Sequence, residues 1–115
     1  MALEIFSMVD IIETMENYIE KNRPEPEIRP LLDIGYEISG QSVILHEIRP
    51  RWNNPSEIHH SAYAKTTFVK NKNCWKVFWM RASGKWESYE PKPEVKSLKA
   101  FLALVDEDKH HCFNG

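Results

Sequence analysis

The stretch that decides the fold is Cys74-Trp75-Lys76-Val77-Phe78-Trp79-Met80-Arg81. Successive side chains of a β-strand point to opposite faces of the sheet, so Trp75, Val77 and Trp79 would share one face and Phe78 and Met80 the other. Both faces are largely apolar, which is typical of a strand that is covered on both sides. We therefore expect this segment to be a central strand.

Alternating apolar and polar residues on either side of this segment predict four more strands. Short turns at Gly40, at 71–73 and at Gly84 would join neighbouring strands into an antiparallel meander. We expect Pro50 to end the second strand and the polar stretch Arg51 to Ser61 to be a loop. The four predicted strands are Leu32 to Ile38, Val43 to Ile48, Ala62 to Lys70 and Trp86 to Glu90.

Both ends of the chain carry apolar residues at helical spacing. Ser97 is placed to cap the second helix, and Ser7 is an alternative start for the first. The sequence gives no reason for the acidic residues 106–108 at the C-terminal end of the second helix, where the helix dipole disfavours negative charge. The first stripe, within residues 3 to 21, is Met8, Ile11, Ile12, Met15 and Ile19; the second is Leu98, Phe101, Leu102 and Val105.

These patterns predict an α+β fold in one domain, residues 1–115. The architecture would be a five-stranded, meander-like and curved antiparallel sheet with an N-terminal and a C-terminal helix packed on it. We expect the last segment, Lys109 to Gly115, to trail off from the second helix.

The composition is that of an ordinary globular domain. Of the 115 residues, 42% are hydrophobic and 28% are charged, so disorder is not expected. No apolar run is long enough to cross a membrane, and Met1 to Ile12 carries two acids and no basic leader. The two cysteines, Cys74 and Cys112, form no disulfide framework. These features favour a reduced, cytoplasmic protein.

Positive charge is concentrated in the predicted sheet. Residues 42–86 contain eight basic and two acidic residues, although the whole chain has a net charge of −2. Basic residues beside aromatic rings are typical of proteins that bind single-stranded nucleic acid or another planar, anionic ligand. Alternatively, the basic strands pair with acidic helices and the tryptophans lie in the core. The candidate binding residues are Arg49, Arg51, Trp52, Lys65, Lys70, Trp75, Trp79, Arg81 and Trp86.

A metal-dependent hydrolase is the enzymatic alternative. Asp33 and Glu47, on neighbouring predicted strands, could hold an ion while Lys65 helps to activate water. Cross-strand ion pairs would look the same in the sequence. Glycine-rich phosphate loops and serine-nucleophile motifs do not occur, so we expect no cofactor and favour a non-catalytic role.

Five residues could in principle ligate zinc, but their spacing does not match a zinc site. Adjacent histidines in a strand point to opposite faces, so each pair would supply one good ligand. We interpret these residues as solvated side chains. They are His59, His60, His110, His111 and Cys112.

The second face of the sheet raises a further possibility. Two helices cover one face of a five-stranded sheet, and the other face would be partly exposed. It could be a binding surface for an anionic ligand, a nucleic acid or a protein, or the contact of a homodimer. Binding predicts Arg49, Arg81 and Lys65 on one open face beside an exposed tryptophan. Hydrolysis predicts that the carboxylates of Asp33 and Glu47 converge.

Four segments follow one another along nearly the whole chain. They are Ile28-Arg29-Pro30 to Gly35-Tyr36, Glu47-Ile48-Arg49-Pro50-Arg51-Trp52, Trp75-Lys76-Val77-Phe78-Trp79-Met80-Arg81, and Lys85-Trp86 to Tyr89-Glu90-Pro91. This series resembles a family of short bacterial proteins known only as a domain of unknown function (number 3024). The resemblance implies bacterial origin and a stand-alone domain, and it implies no activity, cofactor or catalytic residue.

Overall fold

The computed structural model describes residues 5–108 and residue 113. It contains two helices, six strands and a short 3₁₀ turn at Lys70–Lys72. None of the helices in this part of the chain is long and apolar enough to span a membrane. In chain order the elements are α1 (Ile5–Asn22), β1 (Asp33–Ser39), β2 (Ser42–Arg51), β3 (Asn54–Val69), β4 (Cys74–Met80), β5 (Trp86–Ser88), β6 (Glu94–Val95) and α2 (Leu98–Glu107).

The sheet is antiparallel and follows the order β1-β2-β3-β4-β5, which confirms the predicted meander. A sixth strand, β6, was not predicted; it pairs with Trp75 and Lys76 at the start of β4. The other half of the same edge of β4 pairs with β5 through residues 78–80. As predicted, β4 therefore lies inside the sheet, with β3 on one side and two short strands on the other.

Both helices pack on one face of the sheet, which we call the helix face. Its buried side chains include Val43, Leu45, Thr66, Trp75 and Val77. The predicted apolar stripe of α2 is buried against them together with Ile11 and Met15 of α1. The core therefore lies between this face and the two helices, which confirms the predicted α+β architecture.

No helix of the described residues packs on the opposite face, and we call it the open face. Cross-strand partners share a face, so the pairing of the strands defines its members. The half-buried side chains of the open face are Ile44, His46, Ile48, Ala62, Lys65, Phe78, Met80 and Trp86.

A bulge in β3 changes which side chains reach each face. Leu45 pairs with Ala64 and the next residue, His46, pairs with Ala62, so Tyr63 is an extra residue in β3. A bulge bends the strand and reverses the alternation of side chains beyond it. Residues 58–62 of β3 are therefore out of phase with the residues after Tyr63. A second register shift follows nearer the tip, where Ile58 pairs with Pro50 and Asn54 pairs with Arg51.

The second predicted strand does not end at Pro50, and the predicted loop 51–61 is mostly strand. Pro50 lies inside β2 because β1 ends at Asp33, opposite Ile48. The missing N–H of Pro50 faces this vacant side, where a proline breaks no ladder bond. The expectation of a loop rested on the polarity of the stretch, but both faces of this strand are exposed.

Three further expectations about the helices and the tail are wrong. Ile12 is exposed on α1, because Ile11, Met15 and Tyr18 face the core instead. Phe113 does not trail off; it is buried, with its ring centroid 4.9 Å from that of Tyr89. The first helix begins at Ile5, so the alternative start after Ser7 does not apply.

Side chains of α2 explain much of the acidic end of this helix. Ser97 caps the N-terminus as predicted, accepting a hydrogen bond from the Ala100 N–H at 3.1 Å. At the other end, Asp106 accepts a 2.8 Å hydrogen bond from the Tyr18 hydroxyl of α1. Asp108 ends the helix in a left-handed conformation, and its carboxylate accepts the Phe113 N–H at 3.0 Å. Specific hydrogen bonds thus account for Asp106 and Asp108 at this end of the helix, while nothing in the described structure explains Glu107.

Candidate binding surface on a projecting ribbon

The β2–β3 hairpin extends beyond the rest of the sheet. β1 ends opposite Ile48, and β4 first pairs with β3 at Ala64. Every residue from Arg51 to Ser61 is exposed. Residues 49–61 therefore form a two-stranded arm, which we call the ribbon. An isolated hairpin is only marginally stable in water, but this one is anchored at its base by the sheet.

Trp52 stands at the tip of the ribbon with 94% of its surface exposed. It lies in the turn between β2 and β3, beside a groove of about 480 Å³. Large aromatic side chains are usually buried because they remove much apolar area from water. An indole left this open beside two arginines is a candidate contact for a partner, because Trp and Arg are the residue types that most often dominate binding. The groove is lined by Arg49, Pro50, Arg51, Trp52, Asn53 and His59.

The arginines of the ribbon are engaged by carboxylates of the ribbon and its base. Arg49 Nη2 donates to Glu47 Oε2 at 3.2 Å, and Arg51 Nε lies 3.3 Å from Glu57 Oε2. All four side chains are solvent-accessible, and an exposed ion pair contributes only about 0 to 1 kcal/mol. Each guanidinium can therefore exchange its carboxylate for another anion at low cost.

The nine candidate binding residues do not share one face. Arg49 and Arg51 lie beside Trp52 at the tip, whereas Lys65 and Trp86 lie on the open face. The others are dispersed. Trp75 is buried in the core and Trp79 packs against it, Lys70 belongs to the 3₁₀ turn, and Arg81 follows β4 with its Nε 3.5 Å from Glu87.

The expectation that Arg49, Arg81 and Lys65 would line one open face therefore does not hold. Lys65 pairs with Ile44 and Phe78 across the strands, so it belongs to the open face. Arg49 pairs with His59 and follows the alternation of Val43 and Leu45, which are on the helix face. Strand alternation thus separates the basic residues that composition had grouped.

Lys65 is held by aromatic rings of the open face. Its Nζ lies 5.1 Å from the ring centroid of Phe78 and 5.1 Å from that of Trp86. An ammonium over an aromatic face is stabilised by the ring quadrupole. The pairing stabilises the half-buried face and leaves the lysine less available to a ligand than the arginines of the ribbon.

Asp33 and Glu47 cannot hold one ion together. Asp33 pairs with Ile48, whereas Glu47 pairs with the next residue, Ile34, so the two carboxylates lie on opposite faces of the sheet. Asp33 also accepts hydrogen bonds from the Arg23 guanidinium and from the Ile34 N–H. The geometry therefore excludes the proposed hydrolase site of Asp33, Glu47 and Lys65.

The histidines of the ribbon also face different ways. His60 pairs with Ile48 and its ring contacts His46 on the open face, whereas His59 lines the groove at the tip. Within residues 5–108 and residue 113, no three His, Cys, Asp or Glu side chains are grouped as metal ligands. His110, His111 and Cys112 lie outside the described residues.

Sequence reasoning missed three residues that line the groove: Pro50, Asn53 and His59. The sequence predicted Pro50 at the end of a strand and the other two in a loop, and such positions do not show which side chains lie close together. The sequence does carry one signal: Arg49, Arg51 and Trp52 lie within four residues of a hairpin turn. A pair of basic residues next to a turn tryptophan is a reason to expect an exposed indole.

Comparisons with known proteins bear on the family of the chain. A search of the curated proteins and a search of the solved structures each found no match. One family model, described as a domain of unknown function (DUF3024), matches residues 3–115. This match covers nearly the whole sequence and agrees with the series of segments that resembled the family. The chain belongs to the family of domains of unknown function DUF3024.

Proposed function

We propose that the chain is a single, non-catalytic binding domain and that the tip of the ribbon is its contact element. The observation that carries this proposal is Trp52, which is 94% exposed beside two arginines. The ligand is planar and anionic, as are the bases and phosphates of single-stranded nucleic acid. We also propose a cytoplasmic location, which the free, buried thiol of Cys74 supports because a reducing compartment keeps such a thiol unpaired.

The chemistry of the tip fits such a ligand. An exposed indole offers a face on which a base can stack, a contact that contributes about 1 to 3 kcal/mol per base. The planar guanidinium groups of Arg49 and Arg51 match the two oxygens of a phosphate. Asn53 adds an amide that can donate to and accept from a base edge. The groove beside Trp52 brings these groups to one place.

The carboxylates near the arginines limit the electrostatic part of binding. Glu47 and Glu57 balance the charge of Arg49 and Arg51, so the ribbon has no long-range attraction for a polyanion. At most two phosphates can be neutralised by these arginines. The salt dependence of binding to a single strand should therefore be shallow, with a slope of log K against log salt of about −1.4 or less in magnitude.

Fluorescence anisotropy with a labelled single-stranded oligonucleotide of mixed sequence tests the proposal. We expect Trp52→Ala to weaken binding about 5- to 150-fold, which corresponds to the loss of one stacked base. Arg49→Ala with Arg51→Ala should weaken binding and flatten the salt slope. Val9→Ala changes another exposed residue, on α1, whose neighbours Asp10 and Ile11 lie beside Phe68 and Asn73 rather than beside the ribbon. This variant is the control and should have no effect.

Two results would count against the proposal. Binding that is unchanged by Trp52→Ala would place the ligand elsewhere on the molecule. An oligonucleotide that does not bind at concentrations up to about 1 mM would exclude nucleic acid as the ligand.

A further inference from the structure

One edge of the ribbon is unpaired in the described part of the chain. The Phe68 N–H donates to the Gln41 carbonyl at 2.9 Å. This bond shows which residues of β2 direct their backbone N–H and C=O groups towards β3. By strand alternation the backbone groups of Glu47 and Arg49 bond to β3. The N–H and C=O groups of Ile58 and His60 therefore point away from β2. No described strand covers them, because β4 pairs with β3 only from Ala64 onward.

This edge lacks some of the usual protection against association. Proteins blunt exposed edges with lysine, proline, bulges or inward-pointing charges. Residues 58–62 contain no Lys, Arg, Asp, Glu or Pro, and Ile58 is 56% exposed. The protective features flank this stretch: Pro55 and Glu57 on one side and the bulge at Tyr63 on the other. An edge of this kind is a template for the addition of another strand.

We propose that this edge of β3 pairs antiparallel with the same edge of a second copy of the chain, about a two-fold axis at Ile58. β4 leaves residues 54–63 of β3 uncovered, because Trp79, near the end of β4, pairs with Ala64. A two-fold axis at Ile58 sets residues 54–62 against the same residues of the other copy and brings each tip to the point where β4 of the second copy ends. The outward N–H and C=O groups of Ile58 then face the same groups of the other chain.

The side chains of the edge suit pairing with a copy of itself. In this register Ile58 lies opposite Ile58 of the second copy, so two exposed apolar side chains cover each other. Glu57 lies opposite His59 of the second copy, and the symmetry repeats this contact. Like charges directly opposite each other would be unfavourable, and the register contains none. Complementarity of the segment with itself favours a second copy over an unrelated peptide.

The mass of the full chain in solution is the first test. Light scattering at protein concentrations of about 1 to 200 μM covers the range in which a small interface becomes populated. We expect the mass to rise from 13.5 kDa towards twice that value. Ile58→Lys should weaken the dimer about tenfold or more, because it places two ammonium groups on the axis. Val9→Lys is the matched control, since Val9 on α1 is 57% exposed.

A charge exchange tests the register. The variant Glu57→Lys sets an ammonium group against His59 of the second copy, and His59→Glu sets two carboxylates against each other, so each variant alone should dimerise more weakly. Mixing the two variants should restore association as a heterodimer, because the introduced lysine then lies opposite the introduced glutamate, and the native His59 lies opposite the native Glu57. The double variant Glu57→Lys/His59→Glu should also dimerise. Urea unfolding of each variant at low concentration controls for damage to the monomer.

Three results would overturn the inference. One is a mass of 13.5 kDa at all concentrations. Another is a dimer that Ile58→Lys leaves intact while the variant remains folded. The third is a pair of charge variants that fail to associate when mixed. Oligonucleotide binding by the tip is measured separately, so failure of the dimer does not count against the proposed function.

Discussion

Replacement by alanine should change the free energy of unfolding strongly at Trp75 and hardly at all at Trp52. Trp75 is 8% exposed on β4, where it pairs with Val95 and its ring centroid lies 5.1 Å from that of Phe68. Replacing a buried tryptophan by alanine removes apolar contacts and leaves a cavity, which costs about 3 to 5 kcal/mol. Trp52 has almost no contacts to lose, so Trp52→Ala should change the free energy of unfolding by less than about 0.5 kcal/mol.

Urea unfolding followed by far-ultraviolet circular dichroism measures both variants without relying on the fluorophore that is removed. For a domain with a total stability of about 5 to 15 kcal/mol, Trp75→Ala should shift the midpoint strongly at a similar slope. Intrinsic fluorescence supplies a second readout: loss of the solvated Trp52 should move the emission of the remaining tryptophans to shorter wavelength.

The comparison can fail in two ways. A loss below about 1 kcal/mol for Trp75→Ala would mean that β4 is not covered by the helices as described. A loss above about 1 kcal/mol for Trp52→Ala would mean that the tip packs against the domain, which would remove the basis of the binding proposal.

Two predictions concern pH. Burial raises the pKa of Asp33, but hydrogen bonds from Arg23 and the Ile34 N–H outweigh it and hold the pKa below its usual value. Asp33 therefore stabilises the folded state fully when the pH is above about 3.9, the pKa of an aspartate in the unfolded chain. This stabilisation is lost as the pH falls through the lower pKa of the folded state. Asp33→Asn should flatten the acid loss of stability in urea unfolding; an unchanged pH dependence would contradict this. Burial, with neighbouring carboxylates, raises the pKa of Tyr36 and Tyr63 to about 12. Ultraviolet titration of the folded chain should show them ionising near that pH, with stability falling as the pH rises from about 10 to 12; complete ionisation near pH 10 in the folded state would contradict this.

The sequence predicted an element correctly where at least one face of that element is buried. The pattern of residues 74–81 predicted a central strand, and in the structure Trp75 and Val77 are buried while Phe78 and Met80 are half-buried. The stripe of α2 was equally clear because all its members face the core. In the ribbon both faces are exposed, so no apolar period marks the strand, and polarity alone suggested a loop.

The candidate site depends on two features that the sequence does not show. Composition cannot tell which of four tryptophans is exposed, because all four lie in or beside strands. The bulge at Tyr63 reverses the phase of β3, and without it Ile58 and His60 would lie on the helix side. A count of alternating residues back from Lys65 therefore assigns residues 58–62 to the wrong face, and a second register shift, between Pro50 and Arg51, changes the phase again towards the tip.

The phase change at Tyr63 also makes the two proposed contacts compatible. Beyond the bulge, His59 joins Arg49 on one face of the ribbon, while Ile58 and His60 fall on the other. A ligand at the tip would use side chains and the groove beside Trp52, whereas a second copy would use backbone groups along the edge. A two-fold axis perpendicular to the plane of the joined sheet places the arginine faces of both copies on the same side. The dimer would thus present two tips on one side, at opposite ends of the paired segment, and a strand long enough to reach both would compensate for the few cations that each tip offers.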